Sequence, residues 1–278
     1  MVQQTEAQYT GKYGQYADLK GKRILVTGGS AGIGKAAALA FGANGARVAV
    51  MGRRKERLDS VVDQLPGGLA VVGDLTIPED CQRAIEETVA AFGGLDILVN
   101  NGATATAEQN ANLTEPKGYQ EAFNLHIVSL LHLVKAAEQE LIKTKGNIVN
   151  VSSAVAKSTP DSPLMMGYMV AKAAQQKLTE GWARQYAPQG VRVNSILPAW
   201  TYTESTESLA QMFGKPIDEV LVSMGHIHAL DRISYADEVA AGILFLGSDA
   251  ASFVTGMELL MDGGARLMGK VLPDIFRG

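Results

Sequence analysis

The chain has 278 residues, 46% hydrophobic and 19% charged, an ordinary composition for a protein with one large apolar core. Its 25 Lys and Arg and 29 Asp and Glu are interspersed, for a net charge of −4, which argues against nucleic acid as a partner. Cys81 is the one cysteine, so an intrachain disulfide is excluded and a reducing compartment is expected.

In chain order, residues 1–22 are polar and rich in Tyr and Gln, without the apolar core of a signal peptide or the Arg content of a transit peptide. No stretch approaches the roughly 18 apolar residues of a membrane span, so a cytoplasmic protein without a membrane partner is expected. Short apolar runs then alternate with helical patterns. Strands are predicted at 23–26, 47–51, 69–72, 95–99, 147–151, 191–197 and 257–261. Helices are predicted at 33–43, 55–65, 79–92, 119–141, 167–186 and 236–246. The second of these follows from the spacing of Leu58, Val61, Val62 and Leu65.

The strands are continuously apolar, which implies burial on both faces, and their alternation with helices implies parallel βαβ units. The expected fold is α/β, a doubly wound, mostly parallel seven-stranded sheet of Rossmann type in a single domain over 1–278. Residues 1–19 read as an extension, 204–230 as a substrate lid and 265–278 as a tail. In such a sheet ligands bind beyond the C-terminal ends of the strands, near the switch point.

The first strand runs into Thr27-Gly28-Gly29-Ser30-Ala31-Gly32-Ile33-Gly34. Glycines at a strand-to-helix turn let the backbone approach a pyrophosphate, and the helix N-terminus offers N–H groups and a positive dipole end. Glycine-rich turns also serve plain packing, but this one sits where a dinucleotide-binding unit needs it. At the end of the second strand an NAD site places an acid for the ribose 2′-OH. Here the chain reads Met51-Gly52-Arg53-Arg54. An Arg pair suits a 2′-phosphate, so NADP(H) is expected as cofactor and NAD(H) comes second; the plain reading is two solvated helix-start residues.

Tyr168 and Lys172 are four apart on one helical face, downstream of Ser152-Ser153 at a strand end. A hydride arriving at a carbonyl carbon requires a proton donor for the forming alkoxide. A tyrosine can serve if a cation stabilises its phenolate, and a serine hydroxyl can hold the carbonyl oxygen.

These segments together resemble the short-chain dehydrogenase/reductase family, in its single-domain branch, over 20–264. The likeness rests on Thr27 to Gly34, Asn100-Asn101-Gly102-Ala103, Asn124, Ser152-Ser153, Tyr168-x-x-x-Lys172 and Asp262-Gly263-Gly264. The resemblance implies an NADP(H)-dependent oxidoreductase with Tyr168 as general acid/base. It implies that Lys172 binds the nicotinamide ribose and lowers the tyrosine pKa. Ser153 would orient substrate, with Ser152 as the alternative. Asn124 would hold a water that relays protons to Lys172. Gly28, Ser30, Ala31, Gly32, Ile33 and Gly34 would cradle the phosphates, and Arg53 and Arg54 the 2′-phosphate. Asp74 and Leu75 would flank the adenine, Asn101 its ribose, and Thr201 and Thr203 the carboxamide. A homotetramer or dimer is implied, with the helices at 119–141 and 167–186 as an interface.

Three departures stand out. The family's Asn-Asn-Ala-Gly is Asn-Asn-Gly-Ala here, its Pro-Gly is Pro198-Ala199, and Tyr168 follows Ser153 by 15 residues, about two more than the pattern. Cys81 reads as a small helix residue. His226 and His228 lack a third ligand at metal-binding spacing, so no metal is expected.

The lid carries Leu209, Met212, Phe213, Leu221, Val222 and Met224, with Lys215 and Arg232 as the basic residues at hand. With Trp200, Met165, Met166 and Met169 near the reacting carbon, an uncharged, bulky, hydrophobic ketone or secondary alcohol is expected. A 3-oxoacyl thioester is the alternative. A catalytically silent nucleotide-sensing protein is the rival of another class, and a sugar-nucleotide epimerase or dehydratase a third. The apolar tail, with Leu267, Met268, Val271, Leu272, Ile275 and Phe276, is expected to dock.

Overall fold

The computed structural model describes residues 14–102, 115–159, 166–269 and 273. Strands β1 (Arg23–Thr27), β2 (Arg47–Gly52), β3 (Leu69–Val72), β4 (Ile97–Asn100), β5 (Asn147–Val151), β6 (Arg192–Pro198) and β9 (Glu258–Met261) form a seven-stranded sheet. Its order is β3-β2-β1-β4-β5-β6-β9, with parallel pairing throughout. The chain steps outward from β1 to β3, then returns to pair β4 on the other side of β1. That reversal opens a crevice beyond the C-terminal ends of β1 and β4.

Helices α1 (Gly32–Ala43), α2 (Lys55–Val62), α3 (Pro78–Phe92), α4 (Pro116–Phe123), α5 (Ser129–Thr144), α6 (Met166–Tyr186) and α9 (Ala236–Gly247) clothe the sheet. Alternate residues of each strand feed opposite faces. Ile24, Val26, Val48 and Val50 join Phe41, Leu58 and Ile243 in one core. Leu25, Ala49 and Met51 join Ile85, Leu133 and Trp182 in the other. Both faces are thus buried, which is why the strands read as unbroken apolar runs.

Three boundaries differ from expectation. Helix α2 stops at Val62, because Gln64 and Leu65 tighten into turns on Val61 and Val62, although Leu65 remains buried. Strand β4 begins at Ile97 because Asp96 is engaged by Arg23, through its backbone N–H at 2.8 Å and its guanidinium at 2.7 and 2.8 Å. The long helix predicted at 119–141 is three pieces, with a π-helical turn, Asn124–Val128, between α4 and α5.

Beyond β6 the strands β7 (Thr201–Tyr202) and β8 (Ser234–Tyr235) pair in parallel and bracket α7 (Glu204–Met212) and α8 (Ile217–Gly225). This unit has a core of its own: Ala210, Val220, Met224 and Ile233, with Trp200, Tyr202, Leu209 and Leu221 against it. A short α10 (Ala265–Met268) follows β9. Val271, Leu272, Ile275 and Phe276 of the tail lie outside the described residues. Among the described residues, no helix is long and apolar enough to cross a membrane, and no group of three or more His, Cys, Asp or Glu could hold a metal ion.

Candidate active site

The turn after β1 is built for close approach. Gly28 has φ +64, and a Cβ there would meet Gly102 Cα at 2.8 Å. A Cβ on Gly34 would run into Gly28 O and Asn101 Nδ2. Thr27 ties this turn to the end of β4: its hydroxyl donates to Val99 O and accepts from the N–H groups of Asn101 and Gly102 at 3.1 and 3.0 Å. Asn101 Nδ2 in turn donates to Thr27 O at 3.0 Å and Gly28 O at 3.3 Å. Ala31 is the N-cap of α1 and contributes no side-chain cap, so the first N–H groups of that helix, at Gly32, Ile33 and Gly34, receive no cap from its side chain. The Glu204 carboxylate accepts from Gly32 N–H at 3.1 Å. An anionic group already satisfies this helix end, so the donor set and the space left by the glycines fit a dinucleotide phosphate.

At the end of β2, Ser30 Oγ lies 3.4 Å from where a Gly52 Cβ would be, which sets Ser30 against the residue that precedes Arg53. Arg53 and Arg54 are both exposed, and Arg53 reaches Asp74 at 4.0 Å. Asp74 Oδ1 accepts from the N–H and hydroxyl of Thr76 at 2.9 and 2.8 Å. Leu75 abuts Gly102, so the ends of β3 and β4 approach each other there. The Cys81 thiol, beneath this region, is pushed up to about 11 by burial and is an unreactive core group.

Ser153 follows β5 and Tyr168 opens α6. The Ser153 hydroxyl donates to Pro198 O at 3.5 Å, accepts from Val155 N–H at 3.4 Å and lies near enough to Tyr168 to lower its pKa. Ser152 is spent elsewhere, donating to Lys172 O at 3.3 Å. Lys172 is buried. Its Nζ donates to Val151 O at 3.0 Å and Gln175 Oε1 at 3.2 Å, and sits 5.7 Å from the Tyr168 ring centroid. Burial lowers the Lys172 ammonium to about 7. Burial raises the Tyr168 phenol, and the Ser153 hydroxyl pulls it back. Beneath, Asn100 donates to Asn150, and Asn150 to Thr179, both at 2.9 Å, which fixes β4 and β5 under α6.

The structure therefore brings Ser153, Tyr168 and Lys172 together. Asn124 is not among them: it is exposed at the end of α4. The residue against Tyr168 is His126, with ring centroids 5.3 Å apart at 74°. Both residues lie in the π-helical turn Asn124–Val128, in which His126 is the buried position. Thr201 donates to Ala199 O at 3.2 Å and is 2.8 Å from Ser234 Oγ. Thr203 caps α7, and its methyl lies 3.0 Å from where a Gly32 Cβ would be. Met169 is buried, Met166 is partly so, and Met165 lies outside the described residues.

Sequence reasoning named Thr27 in the glycine motif without a role of its own and gave none to Gln175, His126 or Glu204. A buried Gln three residues after a Lys on one helical face was a readable signal. The bond from Gly32 to Glu204, across 172 residues, was not.

The family model described as enoyl-(acyl carrier protein) reductase matches residues 28–266. The chain is 35% identical over 247 residues to L-fucose dehydrogenase of Mus musculus, covering 89% of each. It is 33% identical over 251 residues to 3-oxoacyl-[acyl-carrier-protein] reductase of Thermotoga maritima, covering 88% of this chain and 98% of that one. A crystal structure of a short chain dehydrogenase from Burkholderia cenocepacia in complex with NADP superposes with a TM-score of 0.78 at 31% identity, over 90% of this chain and 99% of that one. A Caenorhabditis elegans short-chain dehydrogenase/reductase crystallised with cofactor gives 0.78 at 28% identity, over 90% of this chain and 97% of that one. The fold, the glycine turn and these matches agree: the chain belongs to the short-chain dehydrogenase/reductase family and is an oxidoreductase of that type.

Proposed function

We propose that the protein moves hydride between NADP(H) and an uncharged ketone or secondary alcohol. The observation that carries this reading is the convergence of Ser153, Tyr168 and Lys172 where the C-terminal ends of the strands open. The cofactor, when bound, supplies or accepts the hydride. Ser153 holds the substrate oxygen beside Tyr168 Oη. Tyr168 donates its proton to that oxygen in reduction and takes it back in oxidation. Lys172 supplies the positive charge that makes the phenolate accessible. Thr27 and Asn101 hold the glycine turn in the shape that a phosphate requires.

Arg53, with Ser30 against the residue before it, supports NADP(H) over NAD(H). A relative crystallised with NADP is in accord. Arg232, just past the lid, is engaged by Glu238 through two bonds of 2.8 and 2.7 Å, which leaves Lys215 as the exposed Lys or Arg at hand there and supports an uncharged substrate. A bulky hydrophobic compound is the primary reading, from Met212, Phe213 and Val222, which stay exposed on the lid. Leu209, Leu221, Met224 and Trp200 pack in the lid's own core, so they do not argue for an apolar pocket. This favours a second reading, a sugar-like polyol, since relatives in three mammals are named L-fucose dehydrogenase. Val128, Leu131 and Val170 form an exposed apolar set on α5, its π-helical entry and α6, which supports a homo-oligomer through these helices in a soluble cytoplasmic enzyme.

The test is a panel read by NADPH absorbance: an aryl ketone, a cyclic ketone, an acetoacetyl thioester and an aldose. Turnover of an uncharged ketone above the thioester is expected. A thioester preferred by about tenfold or more overturns the substrate reading. A chain that binds NADPH but turns over nothing on the panel is the silent sensor instead.

A further inference from the structure

The π-helical turn sets a histidine where the family pattern leads one to expect an asparagine. Asn124 ends α4 with its side chain exposed, whereas His126, two residues on, is 3% exposed. Its ring meets Tyr168 edge-to-face at 5.3 Å, and Lys172 Nζ lies 5.7 Å from the same tyrosine ring. The tyrosine thus has both an imidazole and an ammonium as close neighbours. Ser129, just after the turn, donates to Leu125 O at 2.5 Å and pins the backbone that carries His126.

We propose that His126 is a positioning residue of the Tyr168–Lys172 pair and carries the proton path that links Lys172 to solvent. The inference rests on the reading of Tyr168 as general acid. In reduction, Tyr168 Oη gives one proton to the oxygen of the carbonyl whose carbon has received the hydride, and is left as phenolate. Lys172 Nζ returns one proton toward Tyr168. One proton from water restores Lys172: one ring nitrogen of His126 accepts it while the other releases its own, so each carbonyl reduced consumes one solvent proton. Oxidation runs every transfer in reverse. An asparagine amide could only hold a water in such a path, whereas a neutral imidazole donates and accepts at once.

The surroundings keep the imidazole in that neutral form. Burial, and the charge of Lys172, hold it well below its ordinary range. From α6 the titratable groups facing it are Tyr168 and Lys172. On α4, Lys117 and Glu121 pair with each other at 3.9 Å, and on α5 Lys135 pairs with Glu138 at 2.6 Å, so these charges are spent locally.

The test compares the parent with His126→Phe and His126→Asn. Phe keeps the ring contact with Tyr168 but has no nitrogen. His126→Phe is expected to lose about tenfold or more in kcat, with the Kd for NADPH and the melting temperature within error of the parent. Added imidazole restores part of that rate, a response that lost packing would not give, and His126→Asn recovers partly by holding a water. A kcat for His126→Phe within twofold of the parent, or a loss that imidazole leaves untouched, overturns the proposal. A second measurement needs no turnover: the tyrosinate absorbance that Tyr168→Phe removes gives the Tyr168 titration. In His126→Phe that titration moves to higher pH; an unchanged titration overturns the proposal. A parent that reduces no ketone, or a fully active Tyr168→Phe, refutes the reading of the site instead, and the titration still decides the role of His126.

Discussion

Tyr168 and Lys172 share a helical face and a burial problem, and each makes a distinct prediction. Tyr168→Phe removes one hydroxyl and little contact area. Turnover should fall to a few per cent of the parent or less while the Kd for NADPH stays unchanged, as checked by steady-state kinetics beside a cofactor titration. Lys172 predicts a stability effect. The unfolded chain holds that proton up to its ordinary 10.5, whereas the folded cofactor-free protein releases it near 7. Between those values the unfolded state binds more protons, so stability must rise with pH across the window. Lys172→Met lacks this term. Urea midpoints at pH 7 and 9.5 should show the parent gaining on the variant, below the range where Tyr168 ionises and acts in the opposite direction. Gly34 offers a steric test at the same scale. Gly34→Ala would press a methyl into Gly28 O and the Asn101 amide, and loss of NADPH binding by fluorescence titration is the expected result.

At the scale of elements, β1, β2, β4, β5 and β6 were readable because they are buried on both faces, so continuous apolar runs such as that of β1 coincide with the ladder, whereas the edge strands β3 and β9 are only partly covered. The glycine turn was readable because its steric demands are local: positive φ at Gly28 and close approach at Gly34 admit little else. Residues four apart on one uninterrupted helix, Tyr168 and Lys172, were equally plain. That Asn124 stays exposed while His126 faces Tyr168 was not legible, because an apolar periodicity does not reveal a π-helical turn such as Asn124–Val128. Arg53 sits between these cases. Its sequence position was legible, but its approach to Asp74 depends on how the ends of β2 and β3 splay. Arg53→Ala should erode the preference for NADPH over NADH by about 1.5–3 kcal/mol, the range for a hydrogen bond to a charged group, as read from the two kcat/KM values. Equal constants for NADH and NADPH in the parent would show Arg53 to be a surface residue.

At the scale of the whole molecule, one contact reaches from the glycine turn to a residue 172 positions later. Glu204 is the first residue of α7, and its carboxylate rests on the Gly32 N–H at the head of α1. If a nucleotide phosphate takes that N–H, it and the Glu204 carboxylate are rivals for one donor, and rivalry imposes an order of events. Cofactor arriving there would displace Glu204 from Gly32 and leave the Thr203–Thr206 capping box as the hold on the first turn of α7. Segment 204–230 would then accept substrate after the cofactor and fall back once the cofactor had left. Binding would be sequential by simple displacement, with no hinge required. Glu204→Gln weakens the incumbent, so NADPH should bind tighter by about 1 kcal/mol, roughly fivefold in Kd, by calorimetric titration. In the parent, amide exchange in α7 should quicken when NADPH is added. In the variant it should be fast from the start, as though the nucleotide had already come.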